Sequence, residues 1–113
     1  MRFCLALDLK DDPVLIESYE EHHRHVWPEV LHHLREHGVT GMEIFRLGTR
    51  LTMVMDTDDM VFDQDKMSRA AQSHPVIRKW EELMWTFQAA TPWTPAGEKW
   101  IRMQPIFDLR RQP

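Results

Sequence analysis

Apolar and polar positions alternate along several stretches of the chain. In residues 2–9, phenylalanine and leucine occupy every second position, and this period of two indicates a half-buried β-strand. Residues 42–47 and 51–56 also have strand character. Gly48 lies in the short connection between them, so these two segments are predicted to form an antiparallel hairpin.

Helical spacing follows the first strand. Asp12 and Pro13 provide an acidic cap and a proline at the first helical position, which predicts a helix start. This helix should end near residues 24–25, because Pro28 cannot lie deep inside a helix. A second helix is predicted to begin at Pro28 and to stop at Gly38.

The second half of the chain gives a matching set of signals. The acidic segment 57–59 predicts the start of a third helix, and Pro75 predicts the start of a fourth with a broad apolar face. Residues 89–99 have the composition of a loop. Residues 100–109 are the last predicted strand, and because Pro105 cannot donate to a β-ladder, this strand should be an edge or a bulge.

The resulting order, β-α(α)-β-β-α(α)-β, is that of the split βαβ or ferredoxin-like fold, an α+β domain with helices on one face of an antiparallel sheet. The predicted strands carry more apolar side chains than one covered face needs. They are Cys4, Ala6, Met42, Ile44, Leu51, Met53, Met55, Ile101, Met103 and Phe107. This surplus predicts either sheet-to-sheet dimerisation or a ligand cavity lined by the sheet, and we expect both.

Composition and charge narrow the range of functions. The length of 113 residues corresponds to a single domain spanning residues 1–113. A net charge of −4 with dispersed basic residues leaves no electrostatic footprint for nucleic acid. Cys4 is the sole cysteine, which excludes an internal disulfide and favours a reducing, cytoplasmic compartment. No apolar run has the length needed to cross a bilayer, so we expect no membrane association.

Candidate chemistry concentrates in residues 19–29. Tyr19, His23 and Trp27 recur at intervals of four, so they share one helical face up to the break before Pro28. Histidine exchanges a proton near neutral pH, because its ordinary pKa is about 6.5. A proton-handling side chain beside an aromatic wall at a bend is consistent with a carbohydrate or small-ligand site.

The neighbouring histidines have simpler explanations. His22 and His25 are expected to be solvated. His22 and His23 are sequential and point apart on a helix, and Cys4 is distant on the first strand, so no metal site is expected.

The motif Tyr19-x-x-x-His23-x-x-x-Trp27-Pro28-Glu29, followed by the hairpin, resembles the L-rhamnose mutarotase family. The resemblance runs from the first strand to the last. It implies a ferredoxin-like fold in a dimeric, α/β-barrel-like assembly, and an enzyme that interconverts sugar anomers without a cofactor. It also implies that His23 transfers the proton and that Tyr19 contacts the sugar.

Two positions depart from the family pattern. Met42 stands where rhamnose-acting members carry a tyrosine, and Glu81 follows Trp80 where they carry a second tryptophan. Residues 8–12 and 97–100 are more similar to the L-fucose-acting branch. The expected activity is therefore that of an aldose mutarotase for a 6-deoxy-L-sugar, a monosaccharide, with L-fucose slightly favoured over L-rhamnose.

The expected site has His23 and Tyr19 as catalytic residues, and Trp27, Met42, Trp80 and Glu81 as substrate-binding residues. Some of these have structural alternatives, since Tyr19 and Trp80 could belong to the core and Glu81 to a charged outer face. Two other functions stay open: a non-catalytic sugar-binding or regulatory dimer, and a cofactor-free dimeric monooxygenase of similar topology. Substitution of His23 separates the first from an enzyme, and oxygen consumption with a quinol-like substrate identifies the second.

Overall fold

An antiparallel sheet covered on one face by helices forms the protein, as seen in a computed structural model that describes residues 1–113. In chain order the elements are β1 (Arg2–Leu9), α1 (Pro13–Arg24), α2 (Pro28–Glu36), β2 (Val39–Leu47), β3 (Arg50–Thr57), α3 (Gln64–Ser73), α4 (Pro75–Trp85), β4 (Gln88–Ala89), β5 (Ile101–Arg102) and a final 3₁₀ turn (Leu109–Arg111). This order confirms the predicted α+β class and its split βαβ topology.

The sheet has the strand order β2-β3-β1-β4, with β5 also paired to β1, and every pairing is antiparallel. Met53 of β3 pairs with Leu5 of β1 on one side and with Ile44 of β2 on the other. Directly paired residues of an antiparallel ladder lie on the same face of a sheet. This row therefore marks the inner face, the one that the helices cover.

Helices α1 and α2 are separated by the predicted break. The side chain of Asp12 caps α1 by accepting a hydrogen bond from the backbone nitrogen of Val14 at 2.9 Å. The first helix ends at Arg24, and Pro28 occupies the first turn of the second. None of the helices is both long and apolar enough to span a membrane.

The third helix starts later than predicted. Thr57 is still part of β3, so the segment 57–59 is not free to begin a helix. Asp58 instead closes a turn, in which its carbonyl oxygen accepts a hydrogen bond from the backbone nitrogen of Phe62 at 2.8 Å. Asp63 is the residue that caps α3. The prediction of a helix start at 57–59 was wrong because the acidic signal there serves this turn.

The final strand is also shorter than predicted. Only Ile101–Arg102 is strand, and the last ladder bond runs from the backbone nitrogen of Met103 to the carbonyl oxygen of Cys4 at 2.7 Å. Pro105 has no N–H with which to continue the ladder. The remaining residues, 103–113, form a C-terminal arm whose apolar side chains are largely exposed.

Two apolar clusters fill the space between the sheet and the helices. The larger one joins α1, α2 and α4 to the sheet and consists of Leu9, Tyr19, Val30, Leu51, Ile77, Trp80, Met84 and Phe87. The smaller one consists of Val39, Met53 and Met55, with Met42 and Ile44 packed against it. Burial of these side chains is the main favourable contribution to folding.

The apolar surplus of the strands divides between the two faces of the sheet. Five of the residues behind that prediction, Met42, Ile44, Leu51, Met53 and Met55, belong to the clusters beneath the helices. The opposite, outer face carries Cys4, Ala6, Phe45, Leu47, Val54, Ile101 and Met103. Of these, Phe45 and Leu47 are 55% and 86% exposed. The outer face is therefore apolar, but through a partly different set of side chains from the one expected.

Gly38 provides a test of the link between α2 and β2. Its φ is +90°, and an added Cβ would lie 2.9 Å from the backbone nitrogen of Phe62. We expect Gly38→Ala to lower the free energy of unfolding by about 2–4 kcal/mol, because left-handed strain and the backbone clash add. Gly97→Ala is the matched control. Gly97 also has a positive φ, +83°, but a Cβ added there would have no atom within 4 Å.

The control isolates the conformational cost, about 1–2 kcal/mol. Urea unfolding followed by tryptophan fluorescence measures both variants. Equal losses in the two would show that the backbone near Phe62 relaxes to accept the methyl group.

Candidate active site

A cleft opens between helix α1 and strands β2 and β3. Its volume is about 440 Å³. The lining residues are Tyr19, Glu20, His23 and Arg24 of α1, Ile44, Phe45 and Arg46 of β2, and Leu51 of β3. This size suits a small molecule, and the cleft combines apolar walls with a few polar groups, as ligand sites commonly do.

The imidazole of His23 has a fixed tautomer. Its Nδ1 lies 2.8 Å from the carbonyl oxygen of Tyr19, one helical turn earlier. A carbonyl oxygen can only accept, so Nδ1 carries a proton and donates it, which leaves Nε2 of the neutral ring with a free lone pair. Burial lowers the pKa of His23 from its ordinary value of 6.5. The bond to Tyr19 opposes that shift, and the nearby His22 adds to it. His23 is therefore a neutral base at neutral pH.

Tyr19 is buried against His23. The phenol is 3% exposed, and its ring centroid lies 4.3 Å from that of the imidazole. Burial raises the pKa of Tyr19 above its ordinary value of 10.0, and the nearby polar side chain of Gln88 opposes this shift. Oε1 of Gln88 is buried without a hydrogen-bond partner. The phenol keeps its own proton throughout the neutral range.

Trp27 and Trp80 stand behind His23. The indole of Trp80 meets the imidazole of His23 edge-on at a centroid distance of 5.6 Å, and it meets Trp27 at 5.2 Å. Trp80 is only 6% exposed, and neither tryptophan lines the cleft. The structure thus brings four of the predicted site residues into one cluster, in which Trp80 packs against the imidazole and Trp27 packs against Trp80.

The other two predicted site residues lie elsewhere. Met42 packs against the smaller apolar cluster under the sheet. Glu81 lies on the exposed side of α4, where its carboxylate accepts a hydrogen bond from Nζ of Lys99 at 2.6 Å. Neither residue lines the cleft, so the structure does not bring Met42 or Glu81 to His23.

The histidines do not assemble a metal centre. No group of three or more His, Cys, Asp or Glu side chains is arranged to hold an ion. His33 and His37 approach each other with ring centroids 4.7 Å apart, but neither lines the cleft. His25 is exposed as expected, whereas His22 is half-buried, because its ring packs 5.7 Å from that of Phe87.

Sequence reasoning missed the three charged residues that line the cleft, Glu20, Arg24 and Arg46. Glu20 had the appearance of a charged outer face, and Arg46 drew no attention. Arg46 shares the inner side of β2 with Met42 and Ile44, because side chains of a strand alternate between faces. An arginine at such a position is an unusual signal that could have pointed to a site, since charged residues are rarely placed among inward-facing ones without a partner.

Comparison with known proteins identifies relatives along nearly the whole chain. A family model described as L-rhamnose mutarotase matches residues 2–109. An L-fucose mutarotase of Xanthomonas campestris pv. campestris is 46% identical over 112 residues, which cover 96% of this chain and 87% of that protein. A UPF0734 protein of Dictyostelium discoideum is 34% identical over 110 residues, covering 95% of this chain and 88% of that protein.

Solved structures share the fold. The L-rhamnose mutarotase of Formosa agariphila superimposes with a TM-score of 0.70 at 19% identity, covering 96% of this chain and 98% of that one. The tetracenomycin F2 cyclase of Streptomyces glaucescens, a type-II polyketide cyclase, gives a TM-score of 0.53 at 19% identity, with 96% and 97% covered. At such identities the likeness concerns the fold alone.

The single tyrosine of the chain allows its ionisation to be followed directly. We expect the midpoint of tyrosinate formation in the folded protein to lie above pH 10.0, because burial disfavours the phenolate of Tyr19. Gln88→Leu should raise the pKa of Tyr19 further, because it removes the polar side chain that opposes the shift. Guanidinium-unfolded protein serves as the control and should titrate near the ordinary value of about 10. A titration midpoint at or below that value in protein with native circular dichroism would contradict the buried placement.

Proposed function

The chain belongs to the L-rhamnose mutarotase family, and from this membership we propose that it interconverts the α and β anomers of a 6-deoxy-L-sugar, with L-fucose favoured over L-rhamnose. The observation that carries the proposal is His23, a neutral imidazole of fixed tautomer at the wall of a cleft of monosaccharide size. Support for L-fucose comes from the relative that bears that activity in its name and is 46% identical.

His23 carries the proton in the proposed mechanism. Its free Nε2 takes the proton from the anomeric hydroxyl, and the electrons of that O–H bond form the carbonyl while the bond between C1 and the ring oxygen breaks. The imidazolium then returns the same proton to the ring oxygen, which gives the open-chain aldehyde. Rotation about the C1–C2 bond turns the carbonyl, and the same steps in reverse close the ring as the other anomer. One positioned acid–base group typically contributes about 10²–10⁴-fold in rate.

Tyr19 acts as a hydrogen-bond donor in this scheme. Because burial raises the pKa of its phenol, release of the proton is unfavourable, whereas donation of a hydrogen bond to a sugar oxygen costs no ionisation. Its backbone carbonyl also holds Nδ1 of His23, so Tyr19 serves the reaction through two different groups.

The other four predicted substrate-binding residues are also proposed to serve the reaction, but the observations that support them differ. Trp27 and Trp80 are proposed to fix the imidazole and to exclude water behind it, which their packing favours. For Met42 and Glu81 the support is their departure from the family pattern alone, and direct contact would require a local rearrangement on sugar binding. Neither alternative function, the binding dimer or the monooxygenase, is favoured by the family match.

We further propose a homodimer in which the outer sheet faces of two copies pack together as a dimeric, α/β-barrel-like assembly. The support is the apolar outer face together with the C-terminal arm, where Ile106 and Phe107 are 93% and 68% exposed. Patches of this kind on a protein surface commonly mark an interface. Each copy would act as one domain, and the free Cys4 supports a cytoplasmic location.

Exchange spectroscopy tests the activity. With equilibrated L-fucose, saturating one anomeric proton should transfer saturation to the other in native protein. His23→Ala should lower the exchange rate about 10²–10⁴-fold. His23→Asn is the sharper variant, because its amide keeps a donor for the Tyr19 carbonyl yet supplies no base. His25→Ala, at an exposed position, is the control and should exchange at the native rate.

The pH dependence follows from the direction of the His23 shift. Because burial lowers its pKa below 6.5, Nε2 stays unprotonated at neutral pH, and the rate should fall only as the pH drops below that value. Absence of saturation transfer with both L-fucose and L-rhamnose would overturn the proposal. So would an undiminished rate in His23→Asn.

Light scattering after size exclusion tests the assembly. The native protein should have twice the chain mass of 13.6 kDa. Phe107→Asp should shift the mass towards the monomer, because a buried, unpaired carboxylate opposes association. Val14→Asp replaces an equally exposed valine on α1, 74% exposed, and should leave the mass unchanged. A native mass equal to one chain would contradict the dimer.

A further inference from the structure

Arg46 and Glu20 form an ion pair across the mouth of the cleft. Nε of Arg46 pairs with Oε1 of Glu20, which joins strand β2 to helix α1. Nη1 of Arg46 also donates to the carbonyl oxygen of Gly48 at 2.9 Å. Nη2 of the guanidinium and Oε2 of the carboxylate have no protein partner, and the two side chains are 36% and 41% exposed. A strong donor and a strong acceptor therefore lie side by side and open to a ligand.

We propose that this ion pair binds the cis C3–C4 diol of L-fucose and thereby sets the sugar preference of the cleft, an inference that rests on the proposed mutarotase function. Arg46 would donate to the axial O4 hydroxyl, and Glu20 would accept from the O3 hydroxyl. The paired charges of the protein then meet a diol, which is both donor and acceptor, without leaving either charge unpartnered.

The position of the pair relative to His23 favours this end of the sugar. The reaction requires the anomeric carbon and ring oxygen to lie at Nε2 of His23. Glu20 precedes His23 by three residues on α1, so the two side chains are neighbours on the helix surface, about 5–6 Å apart at their Cβ atoms. His23, Glu20 and Arg46 line the same cleft, so a ring that places its C1–O5 edge at the imidazole leaves the opposite edge, C3–C4, to face the pair.

The two candidate sugars differ at this edge. In L-fucose the cis hydroxyl pair is at C3 and C4, with O4 axial. In L-rhamnose the cis pair is at C2 and C3, beside the anomeric carbon, and O4 is equatorial. A guanidinium and a carboxylate held in fixed geometry distinguish these orientations, because a hydroxyl pointing away leaves a desolvated charge unpaired.

A purely structural ion pair is the competing explanation. Ion pairs this exposed contribute little to stability, so their removal should barely change folding. A role in recognition predicts instead a selective loss that depends on the sugar. The two explanations therefore differ in a measurable ratio rather than in the presence or absence of activity.

The experiment measures kcat and KM by exchange spectroscopy for native protein, Arg46→Met and Glu20→Gln. Methionine keeps much of the apolar stem of arginine, and glutamine keeps the shape of glutamate. For L-fucose, we expect each variant to lose roughly 10–100-fold in kcat/KM, mainly through KM, because a hydrogen bond to a charged group is lost. For L-rhamnose, whose O4 is equatorial, the loss in Arg46→Met should be less than about threefold by the same principle.

Arg2→Met is the matched control. Arg2 forms a comparable exposed ion pair with Asp56 at 2.9 Å, outside the cleft, so its kinetics should equal those of native protein. The sugar 4-deoxy-L-fucose supplies a second comparison that does not depend on rhamnose turnover. Native protein and Arg46→Met should process 4-deoxy-L-fucose with equal kcat/KM, because this sugar lacks the O4 hydroxyl that Arg46 is proposed to bind.

The outcomes show separately whether the proposed role of the ion pair is wrong and whether the proposed mutarotase activity is wrong. Native activity with equal losses for L-fucose and 4-deoxy-L-fucose, or no loss in Arg46→Met, would overturn the role of the ion pair and leave the mutarotase intact. Absence of activity in native protein with any of the sugars would overturn both.

Discussion

The packing of the inner face of α1 against α4 and the sheet determines where every reactive group of the cleft lies. Tyr19 and Trp80 are almost fully buried in the same cluster, and His23 is held between them by ring contacts and by the Tyr19 carbonyl. The burial that stabilises the fold is therefore the same burial that lowers the pKa of His23 and raises that of Tyr19. Truncation of a large core aromatic such as Trp80 typically costs about 3–5 kcal/mol. Here it would also release the imidazole, so stability and proton transfer cannot be separated at this position.

Local signals predicted most of this arrangement. The capped start of α1 and the break before Pro28 depend on residues adjacent in sequence, and the structure has both. The proximity of Tyr19 to His23 follows from helical periodicity alone, because residues four apart share a face. The predicted helix start at residues 57–59 was wrong because long-range strand pairing holds Thr57 in β3. The acidic residues after Thr57 close a turn instead of starting a helix.

The charged half of the cleft was not predictable in this way. Whether Arg46 faces the helices or the outer side of the sheet depends on the register of β2 against β3, and a slip of one residue would reverse it. Its partner Glu20 lies 26 positions earlier in the chain, so no local pattern connects them. The same dependence on tertiary structure applies to Glu81, whose helical face is turned towards Lys99 rather than His23.

The buried and the exposed residues of the site therefore have different roles. The free energy of folding comes mainly from the apolar clusters, and the imidazole that is proposed to transfer the proton lies at their boundary. The ion pair that is proposed to read the sugar lies at the rim, where charged groups contribute little to stability. A substitution at the rim can change which hydroxyls are recognised without disturbing the imidazole. This separation gives a physical reason why the proposed sugar preference of this chain could change through rim residues while His23 stays in place.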